Sequence, residues 1–226
     1  MRKYIYGKRR ILDALVECKA GIRLSDIAYY SIMENELMRD NELEKIFALD
    51  KGRVQFLVNG EALDPGDMTE HPVMTITPHR CFCLCLSGKK NDPVLFERFK
   101  ADICIEIDVD ELVNLLTVAV SRLEGAAVIH RDVSYYPAIM SSPPPDLKSA
   151  LFYKRDVYEV ENEYRIAITI PPHRHSFQTT AGKSFRIFSD DPKDMRHIFV
   201  EGTDKNINLN YITGVFYQAD TLPVTD

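Results

Sequence analysis

The segment from Lys154 to Ile170 most restricts the folds open to this chain, because Glu161, Glu163 and Arg165 alternate immediately ahead of an apolar run that ends at Ile170. A repeat of two is the period of a β-strand, whose successive side chains point to opposite faces. The three charged groups therefore project to one side, and Val160, Tyr164 and Ile166 occupy or border the other. A row of charges leading into a buried strand is either a solvated strand entrance or the lip of a polar site. In the first case Arg165 neutralises Glu163 and Glu161 in exposed ion pairs, which contribute only about 0 to 1 kcal/mol.

Elsewhere the pattern switches between strand and helix periods. Lys3 to Tyr6 reads as a strand. From Arg9 to Lys19, the residues Ile11, Leu12, Leu15, Val16 and Cys18 fall mostly on one helical face, and Gly21 supplies a stop before a strand at Ile22 to Leu24. Leu37, Met38, Leu43 and Ile46 are spaced for a second amphipathic helix within Glu34 to Phe47, broken near Asp40 and Asn41, with its carboxylates on a solvated face. Asn59-Gly60 is a tight-turn signal that makes Arg53 to Leu63 a hairpin. Val73 to Thr77 and Cys81 to Leu86 read as another strand pair across Pro78, His79 and Arg80. A helical turn at Val94 to Phe99, a strand at Ile103 to Ile107 and a helix at Val109 to Leu123 follow, the last capped by Asp108 or Asp110.

Val128 to Tyr136 reads as a strand. Three prolines, Pro143 to Pro145, bar helix and central sheet from the loop at 141–146, which is expected to be mobile. A short helix at Leu147 to Phe152 precedes the Glu161 to Ile170 strand, and further strands are expected at Ser184 to Phe188, His197 to Val200 and Ile212 to Tyr217. The pattern predicts a single α+β domain over 1–226, with a mainly antiparallel or mixed β-sheet and two to four helices.

Of the 226 residues 45% are hydrophobic, enough for one substantial core. The net charge of -6 disfavours general nucleic-acid affinity, which needs a clustered positive surface. A local patch at Arg2, Lys3, Lys8, Arg9 and Arg10 suits either a solvated helix start or phosphate. Five cysteines, odd in number and in apolar contexts, fit reduced thiols in a cytoplasmic protein. No apolar run approaches bilayer-spanning length, and an amphipathic pattern rather than a signal peptide follows the basic N-terminus, so no membrane association is expected.

Three tempting motifs fail on geometry. His79, Cys81, Cys83 and Cys85 lie along one extended segment, where positions two apart are about 6.7 Å distant, so they cannot wrap a zinc ion, and no metal is expected. His173 and His175 have no identified carboxylate or cysteine partner. Ala181-Gly182-Lys183-Ser184 imitates the end of a P-loop, yet Phe177 stands where the first glycine belongs and a strand-like run follows.

The spacing of Lys154, Tyr158, Glu161, Glu163 and Arg165 resembles the mostly bacterial domain of unknown function 2971 family, whose signature is a lysine, an aromatic, then Glu-x-Glu-x-Arg entering a strand. Arg39 to Glu42, Cys83 to Ser87, Ile103 to Asp108 and Ile212 to Gly214 are similar to further pieces of that family, in its order. The family's tryptophan is replaced, with Phe96 in its place, and the proline of its early acidic segment is missing. A second resemblance, to ADP-ribosyltransferase folds, rests on the order of Tyr6 to Arg10, Phe82 to Ser87 and Glu161 to Glu163. It implies an enzyme using NAD as substrate, a small nucleotide ligand, in which Glu163 stabilises oxocarbenium character and Glu161 orients it. Lys154 and Arg165 would organise the acidic pair, Ser87 would support it, and Arg9 or Arg10 would hold phosphate; the acceptor, protein or nucleic acid, stays open. The alternative is a non-catalytic ligand-binding or protein-interaction module of a bacterial stress or phage-defence system, and a basic groove joining Arg9, Arg80 and Lys154 would instead indicate nucleic-acid processing.

Overall fold

The alternating segments assemble into sheets in a computed structural model that describes residues 1–33, 36–37, 40–178, 181–191 and 193–218. In chain order the first strands are β1 (Arg2–Gly7), β2 (Ile22–Asp26), β3 (Lys45–Leu49), β4 (Leu57–Val58), β5 (Glu61–Ala62) and β6 (Val73–Ile76). Then come β7 (Cys81–Ser87), β8 (Ile103–Asp108), β9 (Ala127–Asp132), β10 (Ser134–Tyr136), β11 (Ile139–Met140) and β12 (Tyr153–Arg155). The last are β13 (Glu163–Thr169), β14 (Ser176–Gln178), β15 (Ser184–Arg186), β16 (His197–Val200) and β17 (Ile212–Tyr217). The α-helices are α1 (Arg9–Val16), α2 (Pro93–Arg98) and α3 (Val109–Val120). The fold is α+β, built on mainly antiparallel sheets with mixed pairing.

The largest sheet has eight strands in the order β16-β2-β7-β1-β8-β17, with β13 added on β7 and β9 on β13. β7 pairs along its whole length with β13, from Ser87 opposite Glu163 to Cys81 opposite Thr169. Its other edge is divided: β2 takes Phe82 and Cys83, and β1 takes Ser87. Among the described residues no strand pairs with Leu84, Cys85 or Leu86 on that edge, so the sheet forks there between β1 and β2.

Alternation decides which face each residue serves. Ile103, Ile105 and Ile107 of β8, Leu84 and Leu86 of β7, and Tyr164, Ile166 and Ile168 of β13 pack with Leu15 of α1 and Leu112, Leu116 and Val120 of α3. The opposite face of β7 and β13 places Cys81, Cys83 and Ala167 against Ile27, Leu151 and Phe152. Asp108 caps α3 by accepting from the Asp110 N–H, and Asp92 caps α2 through the Val94 and Leu95 N–H groups. Asn59 and Gly60, both at positive φ, close the β4–β5 hairpin as their sequence predicts. All five cysteines are free thiols.

Three expectations are corrected. The helix expected at Glu34 to Phe47 is not formed by its described part: Lys45–Leu49 is strand β3, while Glu34, Asn35, Met38 and Arg39 lie outside the described residues. The apparent amphipathic spacing is misleading because Glu42 and Lys45 are buried with Phe47 while Leu37 and Ile46 are exposed. Val73 to Thr77 does not pair with Cys81 to Leu86; β6 joins β3, while β13 fills one edge of β7 and β2 and β1 take the two ends of the other. The Val128 to Tyr136 strand breaks at buried Val133, whose N–H donates to the Glu163 carbonyl, and β10 then leaves the large sheet to pair with β12. The 141–146 loop contains neither helix nor strand, in keeping with its three prolines, and Pro144 is buried.

Candidate functional site

The charged entrance of β13 is buried, not solvated. Glu163 and Arg165 point to the same side, as strand alternation requires, but Glu161 is the last residue of a 3-10 segment, Asp156–Glu161, and does not belong to the strand. Asn162 makes the change of direction at φ 43°, a left-handed conformation that asparagine tolerates better than most residues. That turn brings both glutamates to one ammonium: Lys154 of β12 donates to Glu161 Oε2 at 2.8 Å and to Glu163 Oε2 at 2.9 Å.

Around this pair lies a continuous ionic network. Arg165, only 1% exposed, donates through Nε to Glu163 Oε1 at 2.5 Å and through Nη1 to Glu42 Oε2 and the Leu151 carbonyl, each at 2.7 Å; Nη2 also binds Glu42. Lys45 closes on Glu42 at 2.6 Å, and Arg98 reaches Glu161 Oε1 at 3.0 Å. Burial alone would raise the Glu163 carboxyl, but Arg165 and Lys154 outweigh it and hold Glu163 well below the usual carboxylate range. Burial likewise opposes ionisation of Glu42, and Arg165 and Lys45 prevail, holding it at about 2. Burial would lower Lys154, yet Glu163 and Glu161 keep it above its ordinary value. Desolvating so many charges costs several kcal/mol per ion, which is offset only because each carboxylate meets cations at hydrogen-bond distance. Asp40 is the exception: its Oδ2 lies 3.6 Å from Lys45 without a hydrogen bond, and burial next to Glu42 raises its pKa.

This network forms the inner wall of a cleft of about 310 Å³ at the fork of the sheet. Tyr4, Tyr6 and Gly7 of β1 line one side, and Arg23 and Ser25 of β2 with Tyr29 and Tyr30 line the other. Leu84 to Leu86, on the edge of β7 that no strand covers, form the base between them. Tyr6 is held rigidly, its hydroxyl donating to the Lys89 carbonyl at 2.7 Å and accepting from the Asp92 N–H at 2.8 Å, with its ring edge-on to Phe96. The cleft thus combines tyrosine-lined walls, a stretch of β7 edge without a strand partner among the described residues and a charged inner wall, a composition typical of small-molecule sites.

The residues singled out in the sequence are distributed unevenly. Glu161, Glu163, Lys154, Arg165 and Ser87 all line the cleft. Ser87 supports the acidic turn through its backbone: its Oγ donates to the Glu161 carbonyl at 2.7 Å and accepts from the Lys89 N–H. Arg9 and Arg10 do not line it. Arg9 pairs with Asp13 at 3.5 Å and lies over the Tyr217 ring, and Arg10 is exposed. Among the described residues, the cations that line the cleft outside the buried network are instead Lys8 and Arg23. Arg23 donates through Nε to Ser25 and lies 5.4 Å from the Tyr29 ring centre, and among the described residues no carboxylate lies within 4 Å of it. Arg80 and Lys154 share no groove with Arg9: Arg80 lies in a separate pocket and Lys154 is buried. Glu42 was hidden in an acidic segment that resembles a solvated face, and Arg23 had only its position in a short apolar strand to mark it. Comparison of the chain with protein-family models, with curated proteins and with solved structures finds no match in any of the three.

Proposed function

We propose that the fork cleft binds a nucleotide with a flat base-like ring, NAD being the substrate to which its chemistry is best suited, and that the protein acts as an ADP-ribosyltransferase-like enzyme or NAD glycohydrolase. The observation that carries this reading is the fork itself: a stretch of β7 edge that no described strand pairs with, flanked by tyrosines, opening directly onto Glu161 and Glu163. A carboxamide-bearing ring can exchange hydrogen bonds with free backbone N–H and C=O groups, while the tyrosines supply stacking surface. Arg23, with no carboxylate partner among the described residues, is the cation we assign to the pyrophosphate.

In that reaction the bond between nicotinamide nitrogen and ribose C1′ breaks, and nicotinamide leaves with the electron pair. The positive charge that develops on the ribose lies near Glu163, which burial would neutralise but Arg165 and Lys154 keep ionised. A lone pair of water or of an acceptor side chain then forms the new bond to C1′, and its proton passes to solvent. The remaining lone pairs of Glu163 serve as acceptors for a ribose hydroxyl. A second reading, non-catalytic recognition of the same class of ligand, is favoured by one specific fact: both Glu163 oxygens already meet Lys154 or Arg165, which blunts the field the carboxylate presents.

The test is nicotinamide release from NAD together with calorimetric NAD binding, for wild type, Glu163→Gln and Arg23→Gln. The catalytic reading expects release that Glu163→Gln abolishes with binding retained, and weaker binding in Arg23→Gln. Binding without release selects the recognition module. Neither binding nor release, with and without protein and nucleic-acid acceptors, refutes the assignment of the cleft to NAD.

A further inference from the structure

A second pocket, of about 260 Å³, lies at the opposite end of β7 from the fork. Its position follows from the antiparallel pairing of β7 with β13: Cys81 faces Thr169, so the segment before β7 and the segment after β13 leave the sheet side by side. His79 and Arg80 come from the first, and Arg174 and His175 from the second. Arg186, at the end of β15, and Asp190 complete the rim. The two pockets share no lining residue, so this one is separate from the fork cleft.

We propose that this pocket binds a phosphate group carried by a small molecule. Arg80 is its fixed frame, not its ligand donor: Nε and Nη2 are taken by fully buried Asp26 at 3.0 and 2.7 Å, and Nη1 by Asp190 at 2.9 Å. Arg174 and Arg186 are different. Their nearest carboxylates, Glu124 at 3.9 Å and Asp190 at 3.6 Å, lie beyond hydrogen-bond distance and are largely exposed. Among the described residues neither these two guanidinium groups nor the rings of His79 and His175 donate a hydrogen bond to a protein acceptor. Two planar forks and two imidazoles therefore line one recess whose single carboxylate, among the described residues, is Asp190. Guanidinium forks match the paired oxygens of phosphate, and charge-assisted bonds of this kind are the strong ones. The volume lies below the usual range for drug-sized ligands, which suits one phosphate group more than an extended chain.

Titration calorimetry with inorganic phosphate and with pyrophosphate at constant ionic strength tests the assignment on the full chain. Wild type should bind, and the Arg174→Gln/Arg186→Gln double variant should bind at least about tenfold more weakly, the loss expected for one to two charge-assisted hydrogen bonds. Both side chains are at the surface, and an unchanged thermal midpoint will show that the fold is retained. Asp190→Asn should tighten binding, because it removes the one competing anion. Absence of phosphate binding in wild type, equal affinity in the double variant, or equal displacement by chloride would overturn the proposal. Tighter capture of a single-stranded oligonucleotide than of pyrophosphate would overturn the small-molecule assignment.

Discussion

Replacing Arg165 with methionine isolates the contribution of the buried network most directly. Among the described residues the guanidinium hydrogen-bonds both halves of that network: it binds Glu42 from the segment before β3, Glu163 on its own strand and the Leu151 carbonyl. Methionine fills much of the volume but leaves Lys45 as the cation paired with Glu42, Lys154 as the cation paired with Glu163, and the Leu151 carbonyl without the Arg165 donor. Removing one partner of a buried ion pair costs about 3–5 kcal/mol, a large part of the 5–15 kcal/mol total of an ordinary domain. For a chain of this size each kcal/mol moves the thermal midpoint by about 2–4 °C, so a drop of roughly 6–20 °C is expected by calorimetry. Glu42→Gln in the same background should recover part of the loss, because the uncompensated charge is then gone, with a coupling of about 0.5–3 kcal/mol. A midpoint within about 2 °C of wild type, or strict additivity of the two substitutions, would refute the claim that these charges depend on one another.

Further perturbations test other parts of the structure. Asn208, buried and distant in sequence, donates to the carbonyls of Leu15, in the last turn of α1, and of Ala20, beyond its end, and accepts from the Tyr211 hydroxyl, so Asn208→Ala should cost about 2–3 kcal/mol in urea unfolding. Glu42, held at about 2, contributes stability that is fully present above its unfolded value of about 4.3 and is lost as pH falls through about 2; Glu42→Gln should flatten the acid limb of a stability–pH curve over that interval. Asp40 carries the opposite sign: burial and Glu42 raise its pKa, so its ionisation opposes folding at neutral pH and Asp40→Asn should raise the thermal midpoint at pH 7. Gly21→Ala would set a Cβ 2.2 Å from the Val200 carbonyl oxygen and should separate β16 from β2, detectable as lost amide-exchange protection at His197–Val200.

Local patterning determined much of this protein. Period-two alternation places the strands at both ends of the chain, Asp108 and Asp92 start their helices, and Asn59-Gly60 turns its hairpin, because each depends on a few adjacent residues. The Lys154, Glu161, Glu163 and Arg165 set was legible as a charged cluster for the same reason. Only the tertiary structure decided that the cluster is buried and that Glu161 leaves the strand at Asn162. It also decided that Glu42 and Lys45, in an apparent amphipathic helix, are the buried members of a strand and its approach. A buried ion pair is compatible with its surroundings only through partners far away in sequence, and Arg165 and Glu42 are separated by 123 residues. The fork has the same origin: no residue of β7 announces that β1 and β2 divide its edge, because that follows from two strands sharing the one line of backbone hydrogen bonds that β13 leaves open.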